Sequence, residues 1–481
     1  MTARVLILSA SVGSGHKSAA AAVEQAFAAR GGVEVRNQDA LKLTSRLYQM
    51  TARDAYFAFV RENPWAVGWL YDQNDEPFSQ DQGLMRLVNM LNSQPLAEAI
   101  EDYDPDIAVC THFMPALVVA QLLQERRIGA RLAVITTDYD FQGMWLSRTF
   151  NRYFVALEQT KVHLTALGLD PARITVSGIP VTAALSAPLD LAAVRERYGL
   201  RDDLPTILVS AGALGGGPAR EIVAQIMQME TPVQAVVVCG QNQLLRREVT
   251  AQVTDRSDRF RVLGFTSEMP ALMRVASIFV GKPGGLTSAE CMAAGLPMCI
   301  VAPIPGQEER NSDHLLENGA AVRCRETTVI AYKLDRIFQE PGRLDAMRAA
   351  TARLGRPDAA EVVVDTLLRD SSEPIELSSH ERRRIIAAAR GELRDAELSP
   401  YVAEVTLYHD DTGVLIGTIS LEQLQFLIDQ LEEEGEGDDT YFIDGPTLDY
   451  LAERGADDEL LATLREAVEE RGQSEIRFVK P

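Results

Sequence analysis

A chain of 481 residues is too long for one hydrophobic core and predicts two or three domains. Its 46% apolar and 24% charged side chains match ordinary globular proteins and exclude extensive disorder. The formal charge of −22 argues against nucleic-acid binding, and it is unevenly placed: residues 371–481 hold 27 acidic against 10 basic side chains, residues 1–370 only 42 against 37.

The apolar run VLILSA at 5–10 is too short for a signal-peptide core or a spanning helix and reads as a first buried strand. No later stretch reaches about 18 uninterrupted apolar residues, so any membrane contact is expected to be peripheral. The strand leads into Ser11-Val12-Gly13-Ser14-Gly15-His16-Lys17-Ser18 and then an Ala-rich helix. Gly13 and Gly15 let backbone amides approach an anionic group at a helix N-terminus, although tight strand-to-helix turns need glycine for their own sake. His16 stands where a neutral imidazole takes a proton from an acceptor hydroxyl; capping of the helix is the other reading.

Residues 41–95 gather Tyr, Phe and two of the three Trp, Trp65 and Trp69, around a Pro break. A flap that docks a lipid or other acceptor and a plain pair of packed amphipathic helices both account for this pattern. The strands IAVC (107–110), RLAVITT (131–137) and RYFVA (152–156) then alternate with amphipathic stretches, the signature of βαβ units. Cys110-Thr111-His112 ends one of them, with His112 either a hydrogen-bonded structural residue or a ligand contact. Thr136-Thr137-Asp138-Tyr139-Asp140 ends the next. Asp138 is placed to orient or deprotonate a hydroxyl, to hold the tautomer of His16, or simply to cap a turn.

The Pro-containing, small-residue stretch at 177–190 marks a linker, dividing 1–180 from 181–370. Beyond it a second set of strands follows: TILVSAG (206–212), QAVVVCG (234–240), SIFVGK (277–282) and MCIVAP (298–303). Gly212 opens a glycine loop after the first of these, suited to a diphosphate. Gly264-Phe265 precedes the most specific constellation: Lys282-Pro283-Gly284-Gly285-Leu286-Thr287-Ser288, Glu290, Gly295-Leu296-Pro297 and Pro305-Gly306-Gln307-Glu308-Glu309-Arg310-Asn311. Gly284 and Gly285 lie between strand and helix, so the N–H groups of Leu286 through Ser288 are expected to cradle a diphosphate without a metal. Glu290, one turn on, suits both hydroxyls of a ribose, and Gln307 and Glu308 suit the hydroxyl pattern of a hexose.

The five cysteines, Cys110, Cys239, Cys291, Cys299 and Cys324, show no CxxC spacing and read as reduced core thiols of a cytoplasmic protein. From 375 onward an Arg cluster, a hairpin-like run with a DDTG turn and an acidic helix read as an appended α+β domain, 375–481, with no chemical motif.

Residues 4–370 resemble the monogalactosyldiacylglycerol synthase and processive diacylglycerol glucosyltransferase family, which is similar to the N-acetylglucosaminyltransferase that makes lipid II. The likeness rests on the GxGH turn, PDI at 105–107, the TTD segment, SGIP at 177–180 and KPGGLTSAE with PGQEERN. It implies a GT-B fold of two Rossmann-like domains facing a cleft. It also implies inverting transfer of a hexose from UDP-glucose or UDP-galactose to a diacylglycerol-type lipid, without a metal or other cofactor, by a protein peripheral on the inner face of the cell membrane. His16 and Asp138 become the catalytic candidates. Phe265 becomes a base-contacting backbone position, Gly284 through Ser288 the diphosphate loop, Glu290 the ribose acid, and Gln307 and Glu308 the sugar contacts, with Gly212, Gly264, Lys282 and Asn311 on the donor side. The chain departs from the pattern at Gln142, where family members carry a His before a Trp, which bears on acceptor identity and on the division of acid–base roles. Transfer to a polyprenyl-linked or soluble acceptor, or donor sensing without transfer, are the alternative readings. For 375–481 regulation, self-association and recruitment of a protein partner stay open.

Overall fold

The computed structural model describes residues 2–11, 14–44, 77, 83–390, 404–410, 412, 414–431, 440–468 and 472–479. The chain forms two compact units, one carrying two parallel sheets and one made of Leu377–Pro481 with Ala166–Gly168.

In the first unit, β1 (Ala3–Ser9), β2 (Val33–Asp39), β3 (Ile107–Cys110), β4 (Arg131–Ile135), β6 (Arg152–Val155) and β7 (Ile174–Val176) form a sheet in the order β2-β1-β3-β4-β6-β7. A second sheet takes β8 (Thr206–Ser210), β9 (Gln234–Val238), β10 (Phe260–Leu263), β11 (Ile278–Gly281), β12 (Met298–Val301) and β13 (Ala321–Cys324) in the order β10-β9-β8-β11-β12-β13. Every neighbouring pair in both sheets is parallel, as helical crossovers require. Inner strands such as β3, β9, β11 and β12 are buried along their whole length, so their sequences are continuous apolar runs rather than alternating ones.

The end of the 181–370 segment packs on the first half. The helix Ala359–Arg369 leaves the second sheet and returns to the first, where Ala360, Val363, Val364 and Leu367 share a core with Val5, Ile7, Val23, Phe27 and Phe154. Its amphipathic period shows that one face is buried, and Arg30–Asp365 at 2.7 Å and Arg152–Asp370 at 2.7 Å fix which body buries it. Just beyond, β14 (Ile375–Glu376) pairs antiparallel with β5 (Thr149–Phe150). The chain therefore passes between the halves twice. The two passages meet where Gly178, at φ +84°, has no room for a side chain: a Cβ there would lie 2.6 Å from Cβ of Arg356.

The halves share a buried cluster, with Ala19, Tyr139 and Ala156 from the first packed among Leu286, Ala289, Cys291 and Met292 of the second. All five cysteines are free and buried. The second unit is an antiparallel sheet, β16-β15-β18-β17, of β15 (Glu404–His409), β16 (Leu415–Ser420), β17 (Thr440–Asp444) and β18 (Gln473–Val479). Helices Gly445–Glu453 and Asp458–Val468 supply Leu448, Leu451, Leu460 and Leu464 to its core. This is the α+β domain expected from the sequence. Among the described residues no helix is long and apolar enough to cross a membrane.

Candidate active site

In each parallel sheet the connections run in opposite directions from one pair of adjacent strands, and the loops that leave those strands open a crevice. In the first sheet the pair is β1 and β3, which deliver His16 and His112; in the second it is β8 and β11, which deliver the Gly212 loop and the Lys282–Gly285 turn. Both constellations singled out in the sequence therefore sit at the crevices of their sheets.

His16 is partly buried on the first turn of the helix Ser14–Arg30. Its Nδ1 lies 3.0 Å from the Thr111 carbonyl oxygen and 2.8 Å from the Thr137 hydroxyl. A carbonyl only accepts, so Nδ1 carries the proton and Nε2 is left as the basic nitrogen. Burial lowers the pKa of the ring to about 4, against the opposing effect of the Thr111 carbonyl, so the imidazole is neutral at physiological pH. The Thr111 hydroxyl donates in turn to the His16 carbonyl at 2.9 Å. Thr111 and Thr137 thus hold the His16 tautomer, one of the roles considered for Asp138. Both stand in quoted motifs just past a strand end, but neither was assigned a role there.

His112 takes the capping role expected as an alternative for His16. Its Nδ1 accepts the N–H of Met114 at 3.1 Å at the start of the helix Phe113–Gln124, which places its proton on Nε2. The two rings meet edge to face at 4.6 Å, and buried Trp145 stands 6.4 Å from His16 and 6.2 Å from His112. Gln142 is buried at the start of the short helix Gly143–Trp145.

Asp138 is buried at the end of β4 and faces the second half. Asn311 Nδ2 donates to its Oδ1 at 3.1 Å and Gln307 Nε2 donates to its Oδ2. Burial raises its pKa to about 6 despite these two bonds, with the Asp140 charge adding to the rise. Arg310 pairs with Asp140, and Tyr139 stacks on His314 at 4.9 Å, so 138–140 form the seat for the helix Gln307–Glu317.

In the second half, the helix Gly285–Ala293 begins against this segment: a Cβ on Gly285 would lie 2.0 Å from the Thr137 carbonyl oxygen, and one on Gly15 3.5 Å from Cβ of Leu286. Glycine at 285 is required by the meeting of the halves, whereas a Cβ on Gly284 would approach only Glu308, at 3.7 Å. The N–H of Ser288 is spent on the Gly284 carbonyl at 2.9 Å, so the amides without an intrahelical partner are those of Gly285, Leu286 and Thr287. Leu286 buries its side chain in the shared core, and the Ser288 hydroxyl is buried without a partner among the described residues.

Glu290 is half-buried, and among the described residues its carboxylate has no hydrogen-bond or ion-pair partner; burial raises its pKa to about 7. Glu308 is folded back, its Oε2 accepting the N–H of Ile304 at 2.6 Å, with its pKa raised by burial and lowered by the Lys282 charge and that bond. The intervening loop opens with Ala302 at φ +44°, a left-handed conformation that non-glycine residues adopt at a cost. Gln307 and Glu308 are thus already engaged by protein groups, the first by Asp138. Gly212, at φ +82°, donates its N–H to the Ser210 hydroxyl at 3.2 Å; Gly264 lies beside Arg246; and Phe265 is 65% exposed at the end of β10. Gly13 and the aromatic residues Trp65 and Trp69 lie outside the described residues. Among the described residues no group of three or more His, Cys, Asp and Glu stands where it could hold a metal ion.

Residues 16–181 match the family model of monogalactosyldiacylglycerol (MGDG) synthase, and residues 206–363 match that of the glycosyltransferase family 28 C-terminal domain. A processive diacylglycerol beta-glucosyltransferase of Bacillus mycoides is 29% identical over 384 residues, covering 77% of this chain and 95% of its own. That of Bacillus cereus strain AH187 is 28% identical over 380 residues, covering 76% and 94%. Among solved structures, Acinetobacter baumannii MurG is similar at a TM-score of 0.52 with 18% identity, over 76% of this chain and 100% of its own. Neisseria meningitidis UDP-GlcNAc 2-epimerase bound to UDP-GlcNAc gives 0.52 with 15% identity, over the same shares. At such identities the structures speak to fold alone, and with the two parallel sheets they make it GT-B-like.

Proposed function

We propose, for a chain that belongs to the monogalactosyldiacylglycerol synthase and processive diacylglycerol glucosyltransferase family, that it transfers a hexose from a UDP-sugar to a hydroxyl of a diacylglycerol-type lipid, with inversion. The observation that carries the mechanism is the fixed tautomer of His16, whose Nε2 is the free base at the crevice. Nε2 takes the proton of the acceptor hydroxyl, and the acceptor oxygen bonds to the anomeric carbon. The bond from that carbon to the diphosphate breaks, and UDP departs with the electron pair. Asp138 orients the acceptor hydroxyl. The amides of Gly285, Leu286 and Thr287 and the dipole of their helix receive the negative charge of the departing diphosphate. Glu290 accepts hydrogen bonds from the ribose, and Gln307, through its Oε1, and Glu308 face the hexose.

The names of the relatives support glucose as the sugar, and the lipid character of the acceptor supports work at a membrane surface. The test is transfer of radiolabelled hexose from UDP-glucose and from UDP-galactose to diacylglycerol in mixed micelles, by the wild type, His16→Ala and Glu290→Ala. Labelled glycolipid formed by the wild type and lost in both variants is the expected result, and it names the sugar. Donor binding without lipid product would move the acceptor to a polyprenyl-linked or soluble molecule, or leave a donor sensor. Sedimentation of the protein with liposomes checks the membrane association separately.

A further inference from the structure

We infer that Asn311, carried by the donor-side half, is the positioning residue that holds Asp138 of the acceptor-side half in its working orientation and ionisation, so that the acceptor side is assembled only when the halves meet. This rests on the reading of Asp138 as the residue that orients the acceptor hydroxyl.

Asn311 is fully buried. Its Nδ2 donates to Asp138 Oδ1 at 3.1 Å, and its Oδ1 accepts the N–H of Tyr139 at 3.0 Å. The Tyr139 N–H only donates, so the amide has one orientation; flipping it would set two donors face to face. Oδ1 is thus spent on a backbone amide and Nδ2 on a carboxylate, both of the opposite half, and neither is aimed at a sugar hydroxyl. Position 311 would otherwise be read as one more donor contact beside Gln307 and Glu308. Its second role is visible only across 173 residues of sequence.

The surroundings make the bond consequential. A carboxylate this buried is driven toward its neutral form, and hydrogen bonds to the ionised form oppose that drive. Among the described residues the charged and titratable groups around Asp138 are Asp140 and Tyr139 on its own segment, Glu308 and Arg310 on the helix Gln307–Glu317, Glu290 and Cys291 on the helix Gly285–Ala293 that packs against it, and, beyond Thr137, His16. Arg310 is paired with Asp140, which leaves the two amides, Gln307 and Asn311, as the donors to Asp138. Gln307 lies at the entrance of its helix, partly buried, and divides its amide between Asp138 and the hexose; Asn311, one turn deeper and fully buried, spends its whole amide on the opposite half.

The experiment compares full-length wild type, Asn311→Ala and Asn311→Asp in hexose transfer between pH 5 and 9, with UDP affinity measured by calorimetry. Activity of the wild type rises with pH as Asp138 ionises. For Asn311→Ala the expected result is an acid limb moved up by about one pH unit, kcat reduced about threefold at pH 6.5 and recovered at pH 8.5, and a donor KM within about threefold of wild type. Asn311→Asp sets a second carboxylate against the first, so that the pair shares a proton and the limb moves further up. A raised donor KM with the limb unmoved would overturn the proposal in favour of a sugar contact, and an equal loss at every pH would reduce Asn311 to a packing residue. If Asn311→Ala does not fold, Asn311→Ser, too short to span both partners, carries the same comparison. Asp138→Asn separates the two ideas: if it keeps full activity and an unchanged profile, the role given to Asp138 fails, whatever Asn311 does.

Discussion

The acceptor-side face of the cleft spends its polar groups on other protein groups, whereas the donor-side face leaves several of its own unspent. His16 has Nδ1 bound to Thr111 and Thr137, His112 has Nδ1 bound to Met114, and Asp138 is held by two amides. Across from them Glu290 has no partner among the described residues, the first amides of its helix have no intrahelical partner, and Phe265 is exposed. A group that acts in one protonation state is served by neighbours that fix it, as any preorganised site requires. A group that recognises a ligand is left unsatisfied, because its hydrogen bonds are to be made by that ligand.

The strongest way to break this contrast is to remove the fixed base. His16→Ala is expected to lower kcat by about 10²–10⁴-fold while leaving UDP affinity, read by calorimetry, unchanged; a large loss of UDP affinity would mean the two faces are not separate in function. Glu290 sharpens the donor side. Its carboxyl has a pKa of about 7 when free and must be ionised to accept both ribose hydroxyls, so UDP affinity should rise as pH increases through about 7. Glu290→Gln should weaken UDP binding about tenfold at pH 8 and flatten that dependence, since one charge-assisted hydrogen bond contributes about 1.5–3 kcal/mol.

Gly285→Ala addresses the meeting of the faces. A methyl group 2.0 Å from the Thr137 carbonyl oxygen forces the halves apart, with an expected cost of about 1–3 kcal/mol and a fall in kcat larger than any change in UDP affinity. The smallest effect belongs to a pair remote from both faces. Burial would raise the Asp370 carboxyl, but the hydrogen bonds from Arg152 and Ser372 outweigh it and hold its pKa at about 2. Its contribution is present above the ordinary carboxylate pKa of about 4 and fades as pH falls toward 2. Asp370→Asn should therefore cost about 1 kcal/mol at pH 7, discounted for partial exposure, and progressively less in acid, by thermal unfolding.

How much of this could be read from the chain depended on burial. The eight strands legible as apolar runs are the inner strands β1, β3, β4, β6, β8, β9, β11 and β12. The four that escaped notice, β2, β7, β10 and β13, are the outer edges of the two sheets. An edge strand is covered on fewer sides: VEVRNQD in β2 has no fully buried residue, so nothing in its composition separates it from a loop. The donor-side constellation was legible because strand, turn and helix follow one another within a few residues. What holds Asp138 and His16 was not, since Asn311 and Thr137 reach them from distant parts of the chain. The helix Ala359–Arg369 shows the same limit: its period reveals a buried face, and only the fold reveals which body it covers.

That returning helix also bears on how the protein is made. The first sheet contains β1, Ala3–Ser9, yet the core on that sheet is incomplete until Val363, Val364 and Leu367 have left the ribosome. The second sheet, complete at Cys324, is finished earlier. At roughly 5–20 residues per second, the first sheet waits on the order of 10–40 s, counted from the end of β7, with its apolar face toward Val5, Ile7 and Phe27 uncovered. Of the two halves the one that carries His16 and Asp138 is the later to close during synthesis, and it is the half a chaperone would have reason to hold.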